Sequence, residues 1–477
     1  MLCRLRCLVA PTNTKRLSLV QVKISNGWLS TQLQQPHSNN NHVRVSWLIS
    51  MGWKCTSIVQ FVCSRKQHMS FKVNIGKMGT KMHRYPTYFP NLPTRYRVPW
   101  TVSIGPYHRK HPRQLRQAED VKHVAAYHCI KQSGHSVQEI YGAVVSVADH
   151  ARSLYDKDVM AGISDDVFLP MMFYDACFLV QYMLTCTSDG LEEMDESLRS
   201  FFDSHDEAIF NDIMLLENQL PWVVMETLLR FRPVPLEDFV AALKGFLQDR
   251  KDLNIQTVIL DDFFKPPHLL GLLRFYVAGT SNAKQPQLPP TEFISFSVSA
   301  VELAEIGITL AVSGATELAQ IGIKKGPLFG ELSLPQLSLD DTNASILANM
   351  AAFELCTTAD FQAVQDENSA VCSYLQHLAM ILDRVEDVHE LRSKHVLQGG
   401  GGLSNLGVLQ FFTSLQDLRL GSCYIRTMKQ IEDYRHKRQR WIKVVKFYKE
   451  NKKTIATVLS GSAALASILG TILSLKK

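Results

Sequence analysis

Two carboxylates stand where carboxylates are costly. Glu217 lies in "LLENQLPWVV", residues 215–224, with Asn218 and Gln219 beside it and Pro221 just behind. Asp175 lies at the centre of "VFLPMMFYDACFLVQYMLTC", an apolar run over residues 167–186. Burial raises the pKa of such an acid, which is the state a general acid or base at neutral pH requires. The same burial suits a carboxylate that accepts hydrogen bonds from backbone amides. Each residue therefore has a catalytic reading, as the buried acid of an uncharacterised enzyme, and an architectural one.

Other chemistries have no counterpart in the chain. There is no G-x-x-x-x-G-K-[ST]: the glycines at 399–402 are followed by Leu403 and Ser404. A G-x-S-x-G elbow, an H-E-x-x-H pair and the kinase motifs are also missing. His108 and His111, and His123 and His128, have no Cys or carboxylate placed to complete a metal site. The ten cysteines include no C-x-x-C, and several, such as Cys177, lie in apolar runs. They read as reduced core residues of a cytosolic body, where the sequon Asn343-Ala344-Ser345 stays unused. The expectation is no metal, no cofactor and no enzyme.

The elements around the two acids are mostly helical. Ser136 and Glu139 have capping-box spacing, and Ile140, Val144, Val147, Ala151 and Leu154 recur at helical steps behind them. The stretch around Asp175 reads as a buried core helix whose acid needs a hydrogen-bond partner. At "LLENQLPW" either one helix ends near Leu216 and another starts with Asn218 as N-cap, or a single helix kinks sharply. The first reading puts Pro221 in a first turn whose amides lack intrahelical partners. "SAVELAEIGITL" from Ser299 and "GATELAQIGIKK" from Gly314 form a tandem duplication, too short for a solenoid. "GPLFGELSLPQLSLDD" alternates apolar and polar residues around Gly and Pro, as short strands do.

The charge is divided unevenly. The first acidic residue is Glu119, so 19 of the 51 Lys/Arg precede all 45 Asp/Glu. Residues 1–93 are thus a basic, acid-free leader, read as disordered or as an upstream extension of the coding sequence. An organelle transit peptide is the other reading of such a leader. The leader is the one feature suggestive of nucleic acid, and no nucleic-acid partner is expected.

At the other end, residues 435–453 carry nine Lys/Arg and one acid, and residues 454–475 carry no charge. As a helix the uncharged run spans about 33 Å, enough for a bilayer core of about 30 Å. Lys452 and Lys453 flank it on one side, Lys476 and Lys477 on the other. The heavier basic flank keeps the body cytosolic, which makes the run a single-pass tail anchor. Ser462, Ala466 and Gly470 share one face, which leaves homo-oligomer formation open.

Seven segments occur in an order that resembles a known family. They are "YRVP" at 96–99, "VSIGPYHR" at 102–109, "YDACFLVQYM" at 174–183, "LLENQLPW" at 215–222, "ATELAQIGI" at 315–323, "LSLDDTNASILANMAAFELC" at 337–356 and "ILDRVEDVHELRSKHVL" at 381–397. With the terminal apolar run they look like the plant family called domain of unknown function 247. The resemblance runs from about residue 94 to the end, and "SIGPYH" and "LLENQLP" are its specific marks. Pro106, Tyr107, His108, Asp175, Glu217, Asn218, Gln219 and Pro221 are its motif residues. The resemblance implies a mainly helical cytosolic body with one C-terminal transmembrane helix. It supplies no catalytic residue. Some grass members are associated with self-incompatibility loci, which implies recognition of a protein partner rather than catalysis. The leader and the second A-x-E-L-A-x-I-G-I copy depart from the family pattern.

The expectation is thus a mainly α chain with a multi-helix body, a small β-rich insertion and one C-terminal transmembrane helix. Its parts are a leader (1–93), a helical body (94–434), a basic juxtamembrane segment (435–453) and a span (454–475). It would be a recognition protein of the plasma membrane, in contact with lipid and with a protein partner.

Overall fold

A computed structural model describes residues 7–10, 17–24, 27–34, 81–86, 92–109, 115–187, 194–249, 258–261, 264–279, 299–326, 329–358, 361, 366–399, 402–438, 443, 447, 451 and 454–457. The chain forms two units, Met1–Val73 and Asn74–Lys477. In the first, β1 (Cys7–Ala10), β2 (Leu17–Ile24) and β3 (Gly27–Gln34) make an antiparallel meander. The register of β2 with β3 pairs Leu17 with Gln34 and Ile24 with Gly27.

The second unit is mainly helical. α1 (Arg116–Ser133) leads into α2 (Val137–Leu154), which starts at the expected capping box. Ser136 Oγ accepts from the Glu139 amide, and the Glu139 carboxylate accepts from the Ser136 amide at 2.8 Å. The buried stripe of α2 is Ile140, Val144, Ala148 and Ala151, while Val147 and Leu154 are only half-buried at its edge.

α3 (Asp165–Thr185) is apolar on all sides, and every residue from Phe173 to Leu184 except Tyr174 is buried. Among the described residues it is the one helix long and apolar enough to cross a membrane, yet its side chains pack inside the body. It is the buried core helix expected around Asp175.

α4 (Glu196–Ile213) ends at Met214, and α5 (Trp222–Leu229) restarts the helical path at Pro221. The break at "LLENQLP" is therefore real, but its cap is not the expected one. Pro221 occupies the N-cap position of α5, and Asn218 is three residues outside the helix. α6 (Leu236–Gln248) and α7 (Leu269–Ala278) follow.

The duplicated segment folds asymmetrically. Its first copy forms the short helix α8 (Ala300–Glu305), capped by a Ser299–Glu302 box, and then β4 (Ile308–Ser313). In the second copy Gly314 stands where Ser299 caps the first; a turn replaces the helix, and β5 (Gly322–Lys325) follows. Both copies flank β6 (Gly330–Pro335), β4 in parallel and β5 antiparallel, in the order β4-β6-β5. This is the small β element expected within the helical body. β7 (Leu337–Ser338) pairs in parallel with β8 (Leu397–Gln398).

Among the described residues five helices complete the body: α9 (Asp341–Thr357), α10 (Ala370–Ile381), α11 (Val385–Ser393), which lies between α10 and β8, α12 (Asn405–Ser414) and α13 (Ser422–Lys437). One continuous core joins these helices to residues before α1. Met82 and Leu92 are buried in it, so the packed body reaches back into residues that precede "YRVP".

Candidate functional site

The segment "WTVSIGPYH", residues 100–108, carries Gly105-Pro106 and enters neither helix nor sheet, so its amides need partners elsewhere. Three side chains supply them. Asp212, in the last turn of α4, accepts from the amides of Trp100, Thr101 and Val102 at 3.0, 2.6 and 2.9 Å. Asn218 Oδ1 accepts from the Ile104 amide at 2.7 Å, and its Nδ2 donates to the carbonyls of Val102 and Asp212 at 3.0 and 2.9 Å. Asp175 accepts from the Gly105 amide at 2.7 Å. Its other oxygen pairs with Lys122 at 2.7 Å, and Lys122 also donates to the Ser103 carbonyl at 2.6 Å. These bonds use Asn218 on a distant segment rather than on the start of α5, which is why Pro221 is left at the cap.

Glycine is required at 105. Its φ is +70°, and a Cβ would stand 2.9 Å from both the Gln219 carbonyl oxygen and the Tyr155 hydroxyl. Tyr155 Oη donates to that same carbonyl at 3.0 Å. Gln219 Nε2 donates to the carbonyls of Ile213 and Leu215 at 2.6 and 2.9 Å. Its Oε1 accepts from the Leu270 amide at 3.0 Å. Gln219 thus closes the end of α4 and steadies the start of α7.

Glu217 is differently placed. Its Oε1 accepts from the Tyr85 amide at 2.7 Å, and its Oε2 lies 3.8 Å from His108 Nε2. Its side chain keeps 23% exposure, against 2% for that of Asp175. Tyr107 Oη donates to the Met82 carbonyl at 2.8 Å, so residues 82–85 form a strap tied to both family-mark segments. Pro106 is buried beside Gly105. A further asparagine, Asn349 on α9, accepts from the Leu216 amide at 2.8 Å and donates to the Tyr96 carbonyl at 2.9 Å. The segments "YRVP", "SIGPYH", "YDAC", "LLENQLP" and "ASILANM" therefore meet in one hydrogen-bonded knot.

The acids of the knot are held by amides and by Lys122. Burial pushes Asp175 up to about 6, and the Lys122 ammonium pulls it back. Burial also pushes Asp212 up to about 6, against the three amides that favour its ionised form. Asp175 has its oxygens occupied by Lys122 and the Gly105 amide, and both it and Asp212 serve backbone geometry. Among the described residues no group of three His, Cys, Asp or Glu side chains is placed to hold a metal ion. His123 Nδ1 bonds the Glu119 carbonyl at 2.8 Å, and His128 lies 3.8 Å from Asp195. Asn343 of the sequon is fully buried.

One face of the knot opens to solvent. A groove of about 730 Å³ runs between α4, the start of α9 and residues 95–100. Asp203, Asp206, Glu207 and Asp341 line it, with Arg95 facing Asp341. Trp100 lines this groove and is 60% exposed, while its amide is gripped by Asp212. Asp206 accepts from Tyr182 Oη at 2.7 Å and Glu207 from Thr342 Oγ1 at 2.9 Å, so the lining carboxylates are held in place from behind.

Sequence reasoning did not pick out Asp212, Lys122, Asn349 or Trp100. Asp212, in the apolar run "FNDIMLL", carried the same signal as Asp175. Lys452, Lys453, Lys476 and Lys477 lie outside the described residues, as does most of the 454–475 run.

Comparison with known proteins gives the following. The sequence profile of DUF247, described as a plant protein of unknown function, matches residues 82–468. The UPF0481 protein At3g47200 of Arabidopsis thaliana is 25% identical over 363 residues, 71% of this chain and 73% of the relative. The putative UPF0481 protein At3g02645 of the same plant is 26% identical over 185 residues, 37% of this chain and 33% of the relative. No solved structure matches.

Proposed function

Since the chain belongs to the DUF247 family of plant proteins of unknown function, we propose that it acts by recognition rather than catalysis. In this reading it is a membrane-anchored protein whose helical body faces the cytosol and docks a partner protein. The observation that carries the reading is how the conspicuous polar residues are used. Asp175, Asp212, Asn218 and Gln219 bond backbone, and the rigid knot they form holds Trp100 out over an acidic groove. An exposed indole beside fixed carboxylates suits a partner segment that carries Lys or Arg, through cation–π contact and ion pairing.

The anchor rests on sequence: an uncharged run of 22 residues at 454–475 behind nine Lys/Arg at 435–453. That arrangement suits a single-pass tail anchor at the plasma membrane, with the basic stretch against anionic lipid. Alkaline carbonate extraction of the native protein should leave it in the membrane pellet; release into the supernatant would remove the anchor from this account.

Proximity labelling of the tagged native protein tests the recognition. Neighbours labelled by the wild type should be lost with Trp100→Ala at equal abundance. An unchanged set of neighbours would rule out the groove. A second, catalytic reading survives on one observation, the half-exposed Glu217 beside His108 at 3.8 Å. It predicts that Glu217→Gln folds normally yet loses all biological activity.

A further inference from the structure

The basic stretch at 435–453 begins on the packed body. Arg435, His436 and Lys437 form the last turn of α13, Arg438 is its cap, and the first three are exposed. Beyond the cap, Lys443 and Phe447 stand four residues apart in helical conformation, and both are exposed.

The connection between β5 and β6 is fixed against this end of α13. Arg438 Nη2 donates to the Gly326 carbonyl at 3.0 Å, and its guanidinium lies 4.9 Å from the centre of the Tyr434 ring. The Gly307 carbonyl accepts from Tyr434 Oη at 3.4 Å and from the Gly330 amide at 2.8 Å. Glycine at 330 leaves room for the tyrosine, since a Cβ there would stand 3.0 Å from the ring. The Gly326 amide donates to the Phe329 carbonyl at 3.0 Å and closes the connection.

Phe329 is nevertheless 54% exposed. Its carbonyl and the amide that follows it are both bonded, so the exposure belongs to a fixed backbone and not to a fraying end. Lys324, on β5 beside this connection, is exposed and lies 3.7 Å from Glu331. On the helix, Glu432 lies 3.6 Å from His436, and Asp433 is exposed. These acids offset part of the local charge, but the stretch that starts here carries nine Lys/Arg and one acid. An exposed ring beside cations suits a bilayer surface: the ring enters the headgroup region and the cations meet anionic lipid.

We propose that the β5–β6 connection and the end of α13 form the face of the body that lies on the membrane, with Phe329 seated among anionic headgroups. This rests on the tail-anchor reading and adds to it which face meets lipid. Lipid fits this face better than a protein partner does, because the helix that carries it runs on through the basic stretch toward the uncharged run.

Photocrosslinking of the full chain in proteoliposomes tests this. p-Benzoylphenylalanine is placed at Phe329 and, for comparison, at Leu406, an exposed position on α12. The liposomes contain phosphatidylcholine alone or with phosphatidylserine. Mass spectrometry should find lipid adducts at 329 in the anionic liposomes, with a yield at least about fivefold lower in the neutral ones, the ratio for one basic contact. The proposal fails if 329 gives no more lipid adduct than 406, if the two lipids give equal yields, or if 329 crosslinks to a second copy of the chain. Hydrogen exchange of residues 326–331 in the wild type guards against a variant that misfolds. It should be slower on anionic than on neutral liposomes, and equal rates would overturn the proposal. Carbonate extraction of the same samples separates the two readings. A resistant chain without the 329 adduct keeps the anchor and loses this face; an adduct on an extractable chain keeps the face and loses the anchor.

Discussion

Replacing Asp212 by alanine should loosen the knot more than any change to Glu217. Asp212 accepts three consecutive amides, those of Trp100, Thr101 and Val102, at 3.0, 2.6 and 2.9 Å. The Val102 amide lies in the core and would be stranded, which costs about 1–3 kcal/mol. The other two are only part-buried, so water from the groove can replace the carboxylate and each loss comes to about 1 kcal/mol. The total is about 3–5 kcal/mol for Asp212→Ala. Asp212→Asn keeps one acceptor oxygen but turns an amino group toward three donors, so it should fall between wild type and alanine, at about 2 kcal/mol. Guanidinium denaturation of the full chain in detergent, compared at equal m, reads both differences from the midpoint. A loss below about 1 kcal/mol for Asp212→Ala would mean that the three amides find other partners, and the clamp would be refuted.

Four further outcomes follow from the same geometry. Glu217→Gln keeps an acceptor for the Tyr85 amide and should change stability by less than about 1 kcal/mol, whereas Glu217→Ala should cost about 1–2 kcal/mol; the same denaturation assay compares them. Gly105→Ala meets both a positive φ and two oxygens at 2.9 Å, so it should cost about 2–4 kcal/mol or prevent folding, as thermal melts would show. Asp175→Ala leaves the buried Lys122 with only Glu119 and a carbonyl, and should cost about 3–5 kcal/mol, while the paired change Lys122→Met with Asp175→Ala should cost less than the sum of the single changes. The buried His377 is pushed down to about 4 by desolvation, so it is neutral in the fold and gains a proton only on unfolding. Its contribution is complete above pH 6.5 and falls as pH drops toward 4, by about 2 kcal/mol between pH 7 and 5. The raised Asp175 and Asp212 act in the opposite sense, gaining stability as pH falls from 6 toward 4, so the test is the difference between wild type and His377→Gln. That variant should lose less stability than wild type between pH 7 and 5, and equal slopes would exclude the buried neutral histidine.

Features with local causes were legible in the sequence. The Ser136–Glu139 box and the all-apolar helix around Asp175 follow from spacing and composition, as does the break at "LLENQLP". The cap at that break was not legible. Asn218 is a good N-cap residue in isolation, but its oxygen is taken by the Ile104 amide, 114 residues away. Asp212 was missed for the same reason: its partners lie 110–112 residues earlier, and no local pattern announces an acceptor for a distant loop. The duplication showed that two copies exist, yet not that one would keep its helix and the other lose it. The serine cap present only in the first copy is the physical difference. The groove was illegible because α4, α9 and residues 95–100 meet only in the folded chain.

Hydrogen–deuterium exchange tests the central claim most directly, because the knot is a statement about particular amides. The amides of Val102, Ile104 and Gly105 sit in a segment without regular structure, yet each donates to a buried side chain. They should exchange as slowly as the core helix α3. Asn218→Ala should release Ile104, and Asp212→Ala should release Val102, each with the other amides less affected. Exchange of this segment at the rate of an open loop in the wild type would contradict the account, and with it the reading of these polar residues as architecture.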